Sequence, residues 1–372
     1  MSGTLAIVVF FTGLLFIILI HEAGHYLVAR AFGFKVEQYF VGFGPKIWSF
    51  TRKDIEYGVK ALPLGGYVKI AGMNPYEPVA PEHLDRSYGA KPVWQRALVI
   101  LAGPGSHFIV AAILFASWLY FFGDPRTPTP FISTVETTLN GHAGPASVAG
   151  LKPGDRIVGV GDIADPTRDE LLDYTTSHVG EAVVFTIERD GRTFTAAMTP
   201  ERETIGGRSI GRIGVVLGPA KQGPIAAVTG GVEEVGRAIG QSLHQITRVF
   251  GPSGIGRVFT LLFTDAQRGA QDPTSVVGIG QAVGQTGSAG DWGAVLFFLA
   301  FVTVFIGLVN LVPLPPFDGG HLAVLLIEKI RRGKQIDMRK LIPVSAVVMS
   351  FFVVFVLATI LLDLTKPIDF SP

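Results

Sequence analysis

The sequence predicts a polytopic α-helical membrane protein. It should contain four transmembrane helices, a small cytoplasmic, membrane-associated β region and one extracytoplasmic α/β unit. Three observations predict this class. Only 16% of the 372 residues are charged while 48% are hydrophobic, whereas soluble chains carry about a quarter charged residues. Four uncharged runs, residues 3–20, Ala97–Phe122, Trp292–Phe317 and Leu341–Leu362, approach or exceed the ~20 residues that cross ~30 Å of hydrocarbon. Between the second and third runs lies a stretch of mixed polarity with turn dipeptides, long enough for a folded unit. A net charge of +1 argues against a nucleic-acid partner. The absence of cysteine excludes disulfides and leaves His, Asp and Glu to hold any metal.

Taken in order, residues 1–32 form the first transmembrane helix. They lack a basic n-region and a small-residue cleavage site, so they read as a retained span and not as a signal peptide. Residues 33–92 follow as a β-hairpin region and a cytoplasmic loop. Within it, 34–70 alternates polar and apolar residues between Gly and Pro breaks. Two readings of these strands stand: a brace for the first helix, or an edge that pairs with an extended peptide. The second transmembrane helix occupies 93–123, a proline-rich linker 124–130 and the folded α/β unit 131–200. In that unit Pro145–Val160 reads as helix, turn and strand, Asp169–Ser177 as a short helix, and 182–198 as a hairpin about Asp190-Gly191.

Residues 201–291 form an extracytoplasmic segment. Apolar residues at 225, 228, 232, 235, 239, 243, 246 and 249 mark an amphipathic helix there, and 269–291 reads as a flexible connection. The third transmembrane segment spans 292–328, a basic cytoplasmic loop 329–340, the fourth helix 341–363 and a tail 364–372. Lys and Arg concentrate in 30–96 and 329–340, which places both loops in the cytoplasm and both termini outside.

The chemistry centres on His21-Glu22-Ala23-Gly24-His25. On a helix the two histidines lie one turn apart on one face and can share a metal, with Glu22 beside them to take a proton from a water. Starting outside, eighteen residues at ~1.5 Å each carry His21 ~27 Å inward, close to the cytoplasmic face. Ionisable groups at that depth point to function; the plainer alternative is a helix end that has become polar.

A catalytic zinc needs a third protein ligand and an open position. The pattern H-E-x-x-H-x-x-G-x-x-H fails, since Val28 and Ala31 occupy its remaining positions, and a Glu about twenty residues on would fall in the basic hairpin region. The third span ends in Asn310-Leu311-Val312-Pro313-Leu314-Pro315-Pro316-Phe317-Asp318-Gly319-Gly320-His321. Its prolines break helical bonding, which is tolerated at membrane depth where the backbone is buried or lines a cavity. Asp318, the first charge after that apolar run, and the nearby His321 both stand as third ligand.

His21-Glu22-x-x-His25 in a first span, Gly103-Pro104 in a second and Asn310-x-x-Pro313-x-x-x-x-Asp318-Gly319 in a third together resemble the site-2 protease family. The stretch Ala149-Gly150-Leu151-Lys152-Pro153-Gly154-Asp155 resembles a PDZ domain, which that family also places between its second and third spans. The resemblance implies an intramembrane zinc metalloprotease of the bacterial inner membrane, with Zn2+ held by His21, His25 and Asp318 and Glu22 as general base. It implies that Asn310 holds the substrate backbone or stabilises the oxyanion. The implied substrates are single-span membrane proteins such as anti-sigma factors, cut after a first external cleavage.

The chain departs from the family pattern at Gly103-Pro104-Gly105-Ser106-His107, where many members carry Asn at the last position. His107 reads as a hydrogen-bond donor to substrate, an occasional metal ligand or a buried structural histidine. One PDZ-like unit is legible where some relatives have two, and it either captures a peptide or screens bulky ectodomains. Two rival readings are a non-catalytic PDZ-bearing membrane adaptor with a structural metal, and an ion transporter. The transporter would need a polar path across the spans, and the sequence shows none.

Overall fold

The computed structural model describes residues 3–368 apart from 75, 125–127, 206, 207, 220, 221, 270 and 289. The expected linker over 124–130 and tail over 364–372 therefore lie partly outside the described residues. In chain order the helix α1 (Gly3–Ala31) precedes a long hairpin, β1 (Val36–Arg52) and β2 (Ile55–Ile70), and then α2 (Val93–Phe121). Next come β3 (Pro128–Val135), β4 (Thr138–Leu139), β5 (His142–Ala143), α3 (Pro145–Val148), β6 (Arg156–Val160) and β7 (Ile163–Ala164). They are followed by α4 (Arg168–Ser177), β8 (Val183–Arg189), β9 (Arg192–Met198), β10 (Glu201–Ile205), β11 (Arg208–Arg212) and β12 (Val215–Pro219). The remainder is helical: α5 (Pro224–Phe250), α6 (Pro252–Phe263), α7 (Val276–Ser288), α8 (Trp292–Asn310), α9 (Asp318–Ile330) and α10 (Ile342–Thr365). Among the described residues four helices are long and apolar enough to cross a membrane: Gly3–Ala31, Val93–Phe121, Trp292–Asn310 and Arg339–Thr365. The chain is a membrane protein that also carries β-sheets. It divides into two compact units, residues 117–227 and the rest.

In the larger unit α1 ends in a Schellman turn, as its sequence allows. Phe34 N–H bonds to Ala29 O at 2.9 Å and Gly33 N–H to Arg30 O at 3.0 Å. Gly33 takes φ +69°, a conformation open to glycine at little cost. The β1–β2 hairpin is strongly bulged, so Gln38–Val41 pairs both with Gly66–Lys69 and with Glu56–Val59. Gly66–Ile70 thereby becomes an edge strand, and it runs beside α1: Gly66 sits against Leu19 and Glu22. Tyr39 Oη donates to Leu19 O at 3.2 Å, and the Tyr26 and Tyr57 hydroxyls meet at 2.6 Å. These contacts are those of a brace for α1, one of the two readings of the strands.

The loop after β2 is not loose. Lys35 N–H bonds to Arg86 O and Tyr88 N–H to Ala71 O, at 2.9 and 2.8 Å. Arg96, at the start of α2, forms a bidentate pair with Glu328 of α9 at 2.9 and 2.5 Å. Both side chains are buried, at 6% and 4% exposure.

The break that the prolines of the third apolar segment lead one to expect is present, and one other stretch departs from the sequence reading. The third apolar segment is not one helix: α8 stops at Asn310 and α9 begins at Asp318, because Pro313, Pro315 and Pro316 interrupt helical bonding between them. The stretch 269–291, expected as a flexible connection, contains α7. Its small face, Gly278, Gly280, Ala282, Val283 and Gly287, is buried. A Cβ on Gly284 would come within 2.9 Å of Ile7, and one on Gly287 would overlap Ala6, so α7 and α1 approach at backbone distance. Buried Asp363 holds the start of α7, accepting from Ser275 N–H at 2.8 Å and Gly278 N–H at 3.0 Å and pairing with Arg268 at 2.6 Å. The amphipathic helix foreseen between 225 and 249 is α5. Its last residue, Phe250, packs at a tilt against Phe352 and Phe355 of α10, each with ring centroids 5.2 Å away.

In the smaller unit the strands order β12-β3-β6-β8-β9, with β7 added to β6. The foreseen elements are present: α3 before the turn at Gly150 and Gly154, α4, and the β8–β9 hairpin with Asp190 and Gly191 at φ +50° and +73°. The boundary expected at 200 is too early, because β12 completes the sheet by pairing with β3. Asp155, 1% exposed, accepts from Arg189 Nε and Nη2, each at 2.6 Å, and from Lys152 N–H at 2.8 Å.

Glu328→Ala strands the buried Arg96 guanidinium and should destabilise the protein by about 3–5 kcal/mol, read as a lowered unfolding temperature in detergent. In Asp155, burial pushes the carboxyl up, but Arg189 and the Lys152 N–H hold it below its usual value. A depressed folded pKa means the pair's stabilisation is complete above the unfolded value of ~3.9 and drains as pH falls through the folded one. Asp155→Asn should therefore weaken amide-exchange protection in β6 and β8 at pH ~7 and flatten its loss on acidification.

Candidate active site

The site is built where α1 and α2 cross. A Cβ on Gly24 would lie 2.5 Å from Ala102 O, and one on Gly103 would overlap His25 Nε2 and sit 2.8 Å from His21 Cε1. Glycine at both positions lets the two backbones approach and leaves room for two imidazoles. Pro104 lies inside α2 and supplies no N–H to the ladder. Ser106 Oγ donates to the neighbouring Gly103 carbonyl at 2.7 Å.

His21 and His25 are 8% and 9% exposed, and their Nε2 atoms stand 3.1 Å apart. The outer nitrogen of His25, Nδ1, donates to Val99 O at 2.8 Å. A carbonyl only accepts, so the proton resides on Nδ1 and the Nε2 lone pair is free.

Asp318 arrives from the other side of the sequence. The proline loop folds back so tightly that a Cβ on Gly319 would overlap Leu311 O and Val312 O, and one on Gly320 would lie 2.5 Å from Pro315 N. Asp318 thus opens α9, where unbonded N–H groups favour an anion. Its Oδ2 lies 3.3 Å from His21 Nε2 and 3.5 Å from His25 Nε2.

His21, His25 and Asp318 form a group of three potential metal donors. Ligand atoms bound tetrahedrally at ~2.0–2.1 Å stand about 3.3 Å apart. The observed separations of 3.1, 3.3 and 3.5 Å fit that ion, with two neutral imidazoles and one carboxylate as donors and the fourth position left to water or substrate. Glu22 lies partly buried beside them. The edge strand runs against it, with Gly66 facing its Cγ.

The structure brings together four of the six residues singled out from sequence: His21, Glu22, His25 and Asp318. Asn310, the last residue of α8, is partly exposed and opens the loop that carries Asp318. Of the three readings of His107, the structure shows a buried histidine. At 1% exposure it lies behind His21, with its Nε2 3.1 Å from His21 Nδ1. It meets the Nδ1 side of His21, opposite the Nε2 atom that faces His25 and Asp318. Val99 was not foreseen, and Gly103 stood out only as part of the resemblance. Gly103 had a signal, since a glycine before a proline inside an apolar helix marks close backbone approach.

An H-E-x-x-H helix and a buried aspartate among apolar helices define a membrane-embedded zinc metallopeptidase. Residues 9–357 match Peptidase family M50, and the chain belongs to that family. It is 35% identical to the zinc metalloprotease Rip1 of Mycobacterium tuberculosis over 97% of this chain and 98% of the relative. The Rip1 of Mycolicibacterium smegmatis is likewise 35% identical, over 98% of both chains. The metalloprotease MmpA of Caulobacter vibrioides is 29% identical over 85% of this chain and 84% of its own length. The chain is an intramembrane zinc metalloprotease of the site-2 protease type, with Zn2+ as its cofactor.

Gly103→Ala drives a methyl group into the nitrogen that would bind metal, a strain of about 1–3 kcal/mol. Purified Gly103→Ala protein should hold substoichiometric zinc by elemental analysis and lose peptidase activity in proportion.

Proposed function

We propose that His21 Nε2, His25 Nε2 and Asp318 Oδ2 hold the zinc and that Glu22 is the general base for hydrolysis of a peptide bond in or near a substrate's transmembrane segment. The convergence of those three atoms at 3.1–3.5 Å beside Glu22 carries the reading. The chemistry zinc supplies when bound is Lewis-acid activation of a carbonyl and of water. Glu22, packed beside the Gly66–Ile70 edge, takes a proton from the attacking water and returns it to the leaving amine. Asn310, at the mouth of the proline loop, holds the substrate backbone. A helical substrate hides its carbonyls, so it must be drawn out. The Gly66–Ile70 edge beside Glu22 offers main-chain groups to an extended segment by strand addition.

The substrates are single-span membrane proteins of the anti-sigma factor type, cut after a first external cleavage. The site then opens near the cytoplasmic face of the bacterial inner membrane with both termini outside, as the Lys and Arg distribution supports. The smaller unit is the PDZ-like domain of this scheme. Its edge strand β12 and α4 flank a cavity of about 310 Å3 lined by Leu171, Leu172, Thr175, Ile213 and Leu217, suited to an extended apolar peptide end.

A reconstituted assay with a single-span substrate tests the base. Glu22→Gln should lower turnover by about 10²–10⁴-fold with zinc retained one per chain. Undiminished turnover would remove Glu22 from this role, and metal held with no chelator-sensitive cleavage by the wild type would favour the adaptor reading.

A further inference from the structure

The two imidazoles of the site are held from behind by different kinds of partner. His25 Nδ1 faces the Val99 carbonyl at 2.8 Å, which fixes its tautomer without ambiguity. His21 Nδ1 faces another imidazole, His107 Nε2, at 3.1 Å, and an imidazole nitrogen either donates or accepts according to its own tautomer. If His107 Nε2 carried the proton, His21 Nδ1 would have to accept it, and a neutral His21 would then carry its own proton on Nε2. That is the nitrogen 3.1 Å from His25 Nε2 and 3.3 Å from Asp318 Oδ2, where a proton blocks metal binding.

We infer that His107 is a positioning residue for His21. It is the Nδ1–H tautomer, its Nε2 accepts from His21 Nδ1–H, and this hydrogen bond turns the His21 Nε2 lone pair toward zinc. The inference rests on the assignment of His21 as a zinc ligand. Packing supports a fixed ring: His107 is 1% exposed, and a Cβ on Gly307 of α8 would lie 2.9 Å from the His107 Cβ. The ring centroids of His21 and His107 are 5.0 Å apart with planes at 53°, so the rings are tilted and not stacked. The His107 Nδ1 has no partner among the described residues. In the Nδ1–H tautomer this is a buried donor without a partner, a cost that the bond to His21 must offset. An outer partner of this kind raises ligand basicity, and its loss weakens metal binding.

The test uses the full chain in detergent, with zinc affinity read by competition against a chromophoric chelator and geometry by the visible spectrum of the cobalt-substituted protein. His107→Leu keeps the bulk and removes the acceptor. It should weaken zinc binding by about 10–100-fold and alter the cobalt bands. His107→Gln, whose Oε1 reaches the place of Nε2, should restore affinity to within about threefold. A residue that only fills space would show the opposite order, with Leu as good as wild type and Gln worse, and that result overturns the proposal.

His21→Ala separates the two levels of the reading. Its failure to weaken zinc binding would sink the ligand assignment itself, whereas weakened binding there with an unchanged His107→Leu sinks only the positioning role. Nitrogen-15 NMR of histidine-labelled, zinc-loaded wild-type protein needs no variant. Protonated Nδ1 and bare Nε2 on His107 are expected, and protonated Nε2 on His107 refutes the inference.

Discussion

Close contact between two backbones sets the terms for the rest of the site. With Gly24 on one helix and Gly103 on the other, α1 and α2 meet with nothing between them but main chain and the two imidazole rings. Because α2 lies that close, Val99 O and His107 stand directly behind His25 and His21. Polar ring nitrogens in an apolar setting are costly unless each has a partner. The crossing gives both outer nitrogens one and leaves both inner nitrogens facing the same point. A bulkier residue at either glycine would separate the helices and unpair both rings at once.

The third donor is governed by a different constraint. Asp318 belongs to a segment with no continuous helix to hold it, so its position depends on the prolines that end α8 and on Gly319 and Gly320, which let the loop fold back on itself. The far end of α9 is tied to α2 by the Arg96–Glu328 pair, so α2 acts on all three donors, on two through the crossing and on the third through this clamp. Phe317, next to Asp318, meets Phe352 edge-to-face at 5.2 Å, and Phe352 packs at a tilt against Phe250. The donor loop is therefore packed against α10, and through it against the end of α5.

Much of this was legible in the sequence because each signal was a local one. Uncharged runs marked the spans, the i, i+4 spacing put His21 and His25 on one face, and Asp190-Gly191 marked a hairpin that the structure contains. Asp318 was a candidate from its place after the prolines, although only the resemblance preferred it to His321. What escaped was long-range. Nothing local tells that Gln38–Val41 pairs twice and leaves Gly66–Ile70 as an edge over Glu22. Helix α7 read as a flexible stretch because its glycines, poor helix formers alone, are there to let α1 approach. The strands after residue 200 were overlooked although Gly206-Gly207 stands between two alternating runs, a hairpin signal in its own right. His107 could be seen only as an odd residue until its neighbour was known.

The separation of the donors along the chain also orders their assembly in time. Asp318 follows His25 by 293 residues (318 − 25), so at ~5–20 residues per second a ribosome adds it about 15–60 s later. Val99 and His107 are separated from His25 and His21 by only 74 and 86 residues. The histidine rings can thus be oriented early in synthesis, while the carboxylate that completes the donor set is still unmade. A chain caught at any earlier stage of membrane insertion has the two histidines side by side without the carboxylate that meets them in the finished fold.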